Sequence, residues 1–232
     1  MSVKSKIQSL IAAANTATGE SDATLTDAVQ TLVDGYGQGG GEDYLTMRLN
    51  NTLTQYSNPD LSTLMASAFQ SVTSLISVCL PNAIANGANC FSGCTGLKTA
   101  VIGGTIARHI NLLFNGCTAL EAADIVKGTY AVNSLTFQNC RALQTIILRP
   151  SQIVPCGYVD AFKGSTFASG GAGGTIYIPK ALYDHLGDGT ALDYKAATNW
   201  STIDGYGTIT WAKIEGSVYE NAYADGTPIP TS

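Results

Sequence analysis

Apolar residues in the middle of the chain recur in register. Phe91, Leu97, Ala100 and Ile102 are matched by Phe114, Leu120, Ala123 and Ile125, then by Phe137, Leu143, Ile146 and Leu148. A weaker copy, Phe69, Leu75, Val78 and Leu80, precedes them, and Phe162-Lys-Gly-Ser165 opens another. The phenylalanines lie 22, 23, 23 and 25 residues apart. The last two apolar positions of each block are two residues apart, the period of a strand that sends alternate side chains inward. A fixed period of this length predicts a solenoid, in which each repeat buries its apolar face only by stacking on the next. One short strand per repeat then adds to a single parallel sheet. The Phe and the Leu six residues later fall on the return path and pack against the inward strand positions.

The flanks follow other patterns. Residues 1–34 predict two amphipathic helices, one burying Ile7, Leu10, Ile11 and Ala14, the other Leu25, Val29, Leu32 and Val33 between a Thr24 cap and Gly35. A hairpin of this size is too small for a core of its own, so it is expected to serve attachment or homo-oligomerisation. Residues 35–43 are a glycine-rich linker. Residues 44–68 predict a β-hairpin turning at Asn50-Asn51 and a short helix over 61–69, which together cap a solenoid of residues 69–180. Helices over 181–186 and 191–200 and a strand over 208–211 predict a C-terminal cap within residues 181–215. Residues 216–232 have turn composition and read as a loosely held tail.

Cys94, Cys117 and Cys140 occupy one repeat position, which Val72 and Ser165 take in the flanking copies. That exchange describes a small buried slot, and reduced, packed thiols are expected there. A rung spacing of roughly 5 Å leaves disulfides between rungs open on distance alone. Cys79, Cys90 and Cys156 lie elsewhere, and no CxxC or Cys/His spacing is present, so no metal site is expected.

The run Asn89-Cys-Phe91-x-Gly-Cys94-x-x-Leu97 returns as Leu113-Phe114-x-Gly-Cys117-x-x-Leu120. With Ala68-Phe69, Leu80-Pro81, Ala161-Phe162 and Ile176-Tyr-Ile-Pro179, it resembles the BspA-like class of bacterial leucine-rich repeats. The resemblance covers about residues 65–205. It implies an α/β fold class, a right-handed leucine-rich repeat solenoid with one parallel strand per repeat, to which the flanking predictions add the N-terminal helical hairpin and the caps. Gly103 and Lys127 stand where that class favours a proline after the strand, and the loop Ser169-Gly-Gly-Ala-Gly-Gly174 interrupts the fifth copy. Tyr194-Lys-Ala-Ala-Thr-Asn-Trp200-Ser resembles the closing segment of such arrays. Residues 7–37 resemble the N-terminal stretch of prophage-encoded tail-region proteins of Gram-positive bacteria.

Charged residues make up only 12% of the chain and the net charge is -5, which argues against a basic surface for nucleic acid. No stretch reaches the roughly 20 apolar residues that a membrane helix needs, and the N-terminal spacing is helical rather than that of a signal peptide. The expected setting is virion-associated, or cytoplasmic before lysis, and otherwise a cell surface reached by another route. Nucleophile elbow, zinc-protease and phosphate-loop motifs are missing from the sequence. His109 and His185, the latter beside Asp184, read as surface residues, and neither an enzyme nor a cofactor is expected. A polysaccharide-acting β-helix enzyme would share the period but would gather charged residues on one face. Here the outward strand positions are Cys79, Val101, Asp124 and Ile147, with Ser77, Thr99, Ala122 and Thr145 at the neighbouring level. Tyr194, Trp200 and Trp211 read as a cap rather than a sugar-stacking platform. The expected function is binding through the exposed strand row, with Val101, Asp124 and Ile147 as candidate contacts for a protein or glycan on a bacterial surface. A phage tail-region component and a host-encoded adhesion protein are the two settings this allows.

Overall fold

In each repeat the chain reverses around its phenylalanine, and in the first four the backbone there is left-handed twice. The computed structural model describes residues 50–105, 112–127, 132 and 135–230. The helical hairpin expected over residues 1–34, the glycine-rich linker and the first strand of the expected β-hairpin lie outside the described residues. The chain divides into two units, residues 1–53 and 54–232. Of the first, the described part is a turn at Asn50-Asn51 and the two residues after it.

In the second unit, positive φ falls two residues before and two residues after Phe69, Phe91, Phe114 and Phe137, whereas at Phe162 only the later position, Gly164, adopts it. Asn89 and Gly93 flank Phe91, Leu112 and Gly116 flank Phe114, and Leu135 and Asn139 flank Phe137. Gly and Asn reach this conformation at least cost, which is why the motif reads Phe-x-Gly-Cys. Leu112 and Leu135 adopt it against their preference, with φ of 64° and 58°. The reversal is held between rungs rather than within them. Phe91 N donates to Leu113 O at 3.0 Å and Gly93 N to Asn115 O at 2.8 Å; one repeat on, Phe114 N donates to Thr136 O and Gly116 N to Gln138 O. The return path therefore satisfies its amides without a helix.

The strands are β1 (Gln55–Ser57), β2 (Thr63–Met65), β3 (Ser77–Asn86), β4 (Thr99–Thr105), β5 (Ala122–Ile125), β6 (Thr145–Leu148), β7 (Gly174–Ile178) and β8 (Ile209–Lys213). They form one sheet in the order β1-β3-β4-β5-β6-β7-β8, with β2 beside β3, and every pairing is parallel. The register matches the repeat: Val78, Ala100, Ala123 and Ile146 are consecutive partners, as are Leu80, Ile102, Ile125 and Leu148. Strand β3 turns a corner at Pro81, where the register shifts, and its second half pairs with β2 on one side and with Gly104 and Thr105 on the other. Gly103 stands beside this corner. A Cβ there would lie 2.6 Å from the Ala83 carbonyl oxygen, so a glycine lets the two rungs approach.

Two expected helices are corrected. Residues 61–69 form β2 and turns. The helix-like spacing of Leu61, Leu64, Met65 and Ala68 belongs to a rung, in which Leu64 and Ala68 are buried and Met65 is exposed. After helix α1 (Lys180–Tyr183), turns occupy most of residues 191–199 before helix α2 (Trp200–Asp204). The Asp193 carboxylate accepts from Gly189 N and Lys195 N and fixes this turn, a local bond that competes with helix.

The core is a stack of rings. Phe69, Phe91, Phe114, Phe137 and Phe162 follow one another at centroid distances of 5.2, 5.3, 5.5 and 5.4 Å, with planes 12–13° apart. Tyr56 closes one end, and Phe167 and Trp200 the other. Tyr194 and Trp200 have no exposed surface. Their polar ends bond Val154, whose N–H donates to the Tyr194 hydroxyl and whose carbonyl accepts from Trp200 Nε1. These rings close the core instead of presenting a sugar-stacking surface.

The cysteine position has a directional role. Cys94, Cys117 and Cys140 donate their S–H to the carbonyls of Phe69, Phe91 and Phe114, one rung back, at 2.9, 3.0 and 3.1 Å. All six cysteines are reduced and buried. Burial pushes the Cys90 and Cys140 thiols from an ordinary 9.0 to about 12, and Cys117 well above 9.0.

Two outcomes are expected. Phe114→Ala removes a ring from the middle of the stack and should cost about 3–5 kcal/mol, read from the urea midpoint. The raised thiols make the fold alkali-sensitive: between pH 9 and about 12 the unfolded chain has released protons that the folded chain keeps, so stability falls as pH rises through that window. Urea midpoints at about pH 8 and about pH 10.5 should differ, and the drop should shrink in Cys117→Val.

Candidate binding face

The outward side chains of the parallel strands form two columns. One contains Ser77, Thr99, Ala122, Thr145, Thr175 and Thr210, each the register partner of the next. The second contains Cys79, Val101, Asp124, Ile147 and Tyr177 in the same relation. The columns meet different surroundings. Ser77, Thr99, Thr145 and Thr175 are half-buried and Thr210 is exposed, whereas Val101, Asp124 and Ile147 are 0% exposed.

This corrects the expectation that Val101, Asp124 and Ile147 stand open to solvent. The covering element is the segment after β8, expected to be a loose tail. From Ser217 it runs back across the strand face as a strap. The Tyr219 ring meets Tyr177 edge-on at 4.8 Å. Tyr223, only 7% exposed, packs with Cys79 and Val101, and Ala224, Ile229 and Val126 surround this cluster. Ala222 bridges Pro228 in antiparallel fashion, Tyr223 N donates to Thr227 O at 2.8 Å, and Ile229 N donates to Asn221 O at 3.0 Å. The tip of the strap is thus a small hairpin.

One ion pair clasps it. Asp124 lies on β5, and Arg149 follows the last residue of β6. Arg149 Nε donates to Asp124 Oδ1 at 2.8 Å and Nη2 to Oδ2 at 2.7 Å, a two-pronged bond. The same guanidinium donates to the strap carbonyls of Tyr219 and Ala222, each at 2.8 Å, and lies 5.3 Å from the Tyr223 ring centroid. Ala224 N closes the circuit by donating to Asp124 Oδ2 at 3.0 Å. Burial pushes the Asp124 carboxyl up, while the Arg149 hydrogen bonds and charge and the Ala224 N–H oppose that rise. The arrangement satisfies a charge that would otherwise be costly to bury.

Beside the strap tip a groove of about 500 Å³ remains. Ser77 and Thr99 line its floor with Gln55 and Ser57, and Asp225 and Thr227 of the strap form the facing wall. Lys98 and Glu121 pair at its rim, 3.7 Å apart and both more than half exposed.

The histidines stand apart from this face. His185 pairs with Asp188, Nδ1 to Oδ2 at 2.6 Å, rather than with neighbouring Asp184, which pairs with Lys180. His109 lies outside the described residues. Among the described residues no three His, Cys, Asp or Glu side chains converge as metal ligands, and no helix is long and apolar enough to cross a membrane.

Sequence reasoning found the columns but missed Arg149, Tyr223 and the strap. A signal for Arg149 was available: Pro81, Gly103 and Val126 hold its position in the earlier rungs, so a lone cation stands there one rung from the acid of the outward row. A family model described as BspA type Leucine rich repeat region matches residues 49–167 in six copies, just over half of the chain. No curated protein matches it.

The burial of the second column fixes what substitutions there should do. Val101→Lys or Ile147→Lys buries an ammonium beside an Asp124 carboxylate already engaged by Arg149, and each should cost at least about 2 kcal/mol. The measurement is the urea midpoint of each single variant against Thr99→Lys on the open column, which should stay near wild type.

Proposed function

We propose that this chain, which belongs to the BspA type leucine-rich repeat family, is a non-catalytic binding module that holds its partner on the open column of the strand face. Repeats of this kind suggest protein binding, and their stacking multiplies modest contacts along an extended surface. The observation that carries the reading is the hydroxyl column itself. Ser77, Thr99, Thr145, Thr175 and Thr210 offer a neutral donor and acceptor at every rung but the one held by Ala122, beside a polar groove, while the apolar column next to them is covered. Hydroxyls are cheaper to desolvate than charges, which suits a surface that must give up its water over several rungs.

The partner in this proposal is a protein or glycan on a bacterial surface, and the setting is a prophage-encoded tail-region protein. What supports the setting is the resemblance of residues 7–37 to such proteins, with residues 1–34 acting as the attachment or oligomerisation element. The test is pull-down of fluorescently labelled protein on intact cells of Gram-positive hosts, with circular dichroism melting as the folding control. Ser77→Arg combined with Thr99→Arg fills the groove floor and should weaken capture at least about tenfold, at an unchanged melting temperature. Undiminished capture of the folded double variant, or no capture of wild type by any host, overturns the proposal.

A further inference from the structure

We propose that the apolar column of the strand face is a peptide-binding site, and that residues 217–229 are its resident and displaceable ligand. This goes beyond the surface-contact reading and does not rest on it. The strap covers the sheet without joining it: among the described residues no ladder bond links its main chain to a strand, and its one bridge is internal. Its main chain meets the solenoid through two side chains, Arg149 at the Tyr219 and Ala222 carbonyls and Asp124 at Ala224 N. Its apolar anchors on the column are two rings, Tyr223 over Cys79 and Val101 and Tyr219 edge-on against Tyr177, with Ala224 and Ile229 packed beside Tyr223. Elsewhere it faces water, with Val218 78% exposed and Glu220 and Asn221 exposed. An internal rung, by contrast, is bonded to neighbours on both sides at strand and return path alike.

What the site requires defines the chemistry of a replacement. Arg149 needs two carbonyl acceptors, Asp124 needs an N–H, and the slot above Cys79 and Val101 needs an aromatic ring. A peptide main chain with one aromatic side chain supplies all three, whereas a sugar carries no aromatic ring and at most the single amide of an acetamido group. The partner is therefore an extended segment carrying an aromatic residue, and the strap is its template. Tethering gives the strap a high effective concentration, so a partner must bind more tightly than the strap does or arrive where the strap has been drawn off.

The test uses the full chain and its own thiols. Cys79 packs against Tyr223 at the edge of the groove and is only 4% exposed, while Cys94, Cys117 and Cys140 lie inside the solenoid and report global opening. In Tyr223→Ala, alkylation of Cys79 by N-ethylmaleimide, mapped by mass spectrometry, should quicken at least about tenfold, with the three core thiols still protected. A fluorescein-labelled peptide of residues 216–232 should then bind the Tyr223→Ala chain and not wild type, and adding Arg149→Met should abolish that binding. A second arm keeps the wild-type contacts: a protease site is placed at the exposed Gly216 turn and the folded chain is cut, after which the severed strap should stay bound and exchange with labelled peptide. Cys79 reacting only in step with the core thiols in every variant overturns the proposal. So does a Tyr223→Ala chain with reactive Cys79 that takes up no peptide, or a severed strap that never exchanges. Capture by cells through the hydroxyl column is read separately, on the uncut wild-type chain, whose strap keeps the Asp225 and Thr227 wall of the groove in place.

Discussion

Five phenylalanine rings stacked at 5.2–5.5 Å set the pitch to which the rest of the repeat conforms. To place the ring inward the chain must reverse around it, which four of the five repeats do with one left-handed residue on each side. The same residue ties its rung to the next one twice through its main chain: the Phe114 N–H donates to Thr136 O, and its carbonyl accepts the thiol of Cys140.

A stack of this kind has ends, and each must be closed by something that is not a repeat. Tyr56 tilts across the first ring, and Phe167 and Trp200 tilt across the last, with Tyr194 and Trp211 behind them. The strand face poses the same problem sideways. Val101 and Ile147 are outward residues of core character; both are without exposed surface, and Tyr223 of the strap packs on the first. The array is thus enclosed on three sides by non-repetitive chain, and its hydroxyl column is left open.

The repeat was legible because its signals are local and recur. Every inward pair read from the sequence is an inward pair in the sheet, since the period of two and the period near 23 are independent and agree. The helix read over residues 61–69 failed for a definable reason: a rung that buries Leu64 and Ala68 around a reversal produces the same spacing as a helix face, and periodicity alone does not separate them. The strap was illegible because its attachments are remote. Arg149 reaches carbonyls 70 and 73 residues away, and Asp124 an amide 100 residues away. The strap itself shows only turn composition, and nothing in a run of Gly, Ser, Asn and Pro announces that a buried ion pair elsewhere will hold it. The same omission made an interior column look like a surface.

The six buried thiols carry a consequence for how long the molecule lasts. While the chain stays folded, each repeat thiol is engaged with a carbonyl one rung back, and oxidants do not reach it. A chain that opens releases all six at once into a flexible polymer, where every pairing they can form is foreign to the fold. In oxidising surroundings unfolding is then a one-way event, and the working lifetime is counted in opening events rather than read from an equilibrium constant. For such a protein, slowness to open matters more than depth of the native minimum.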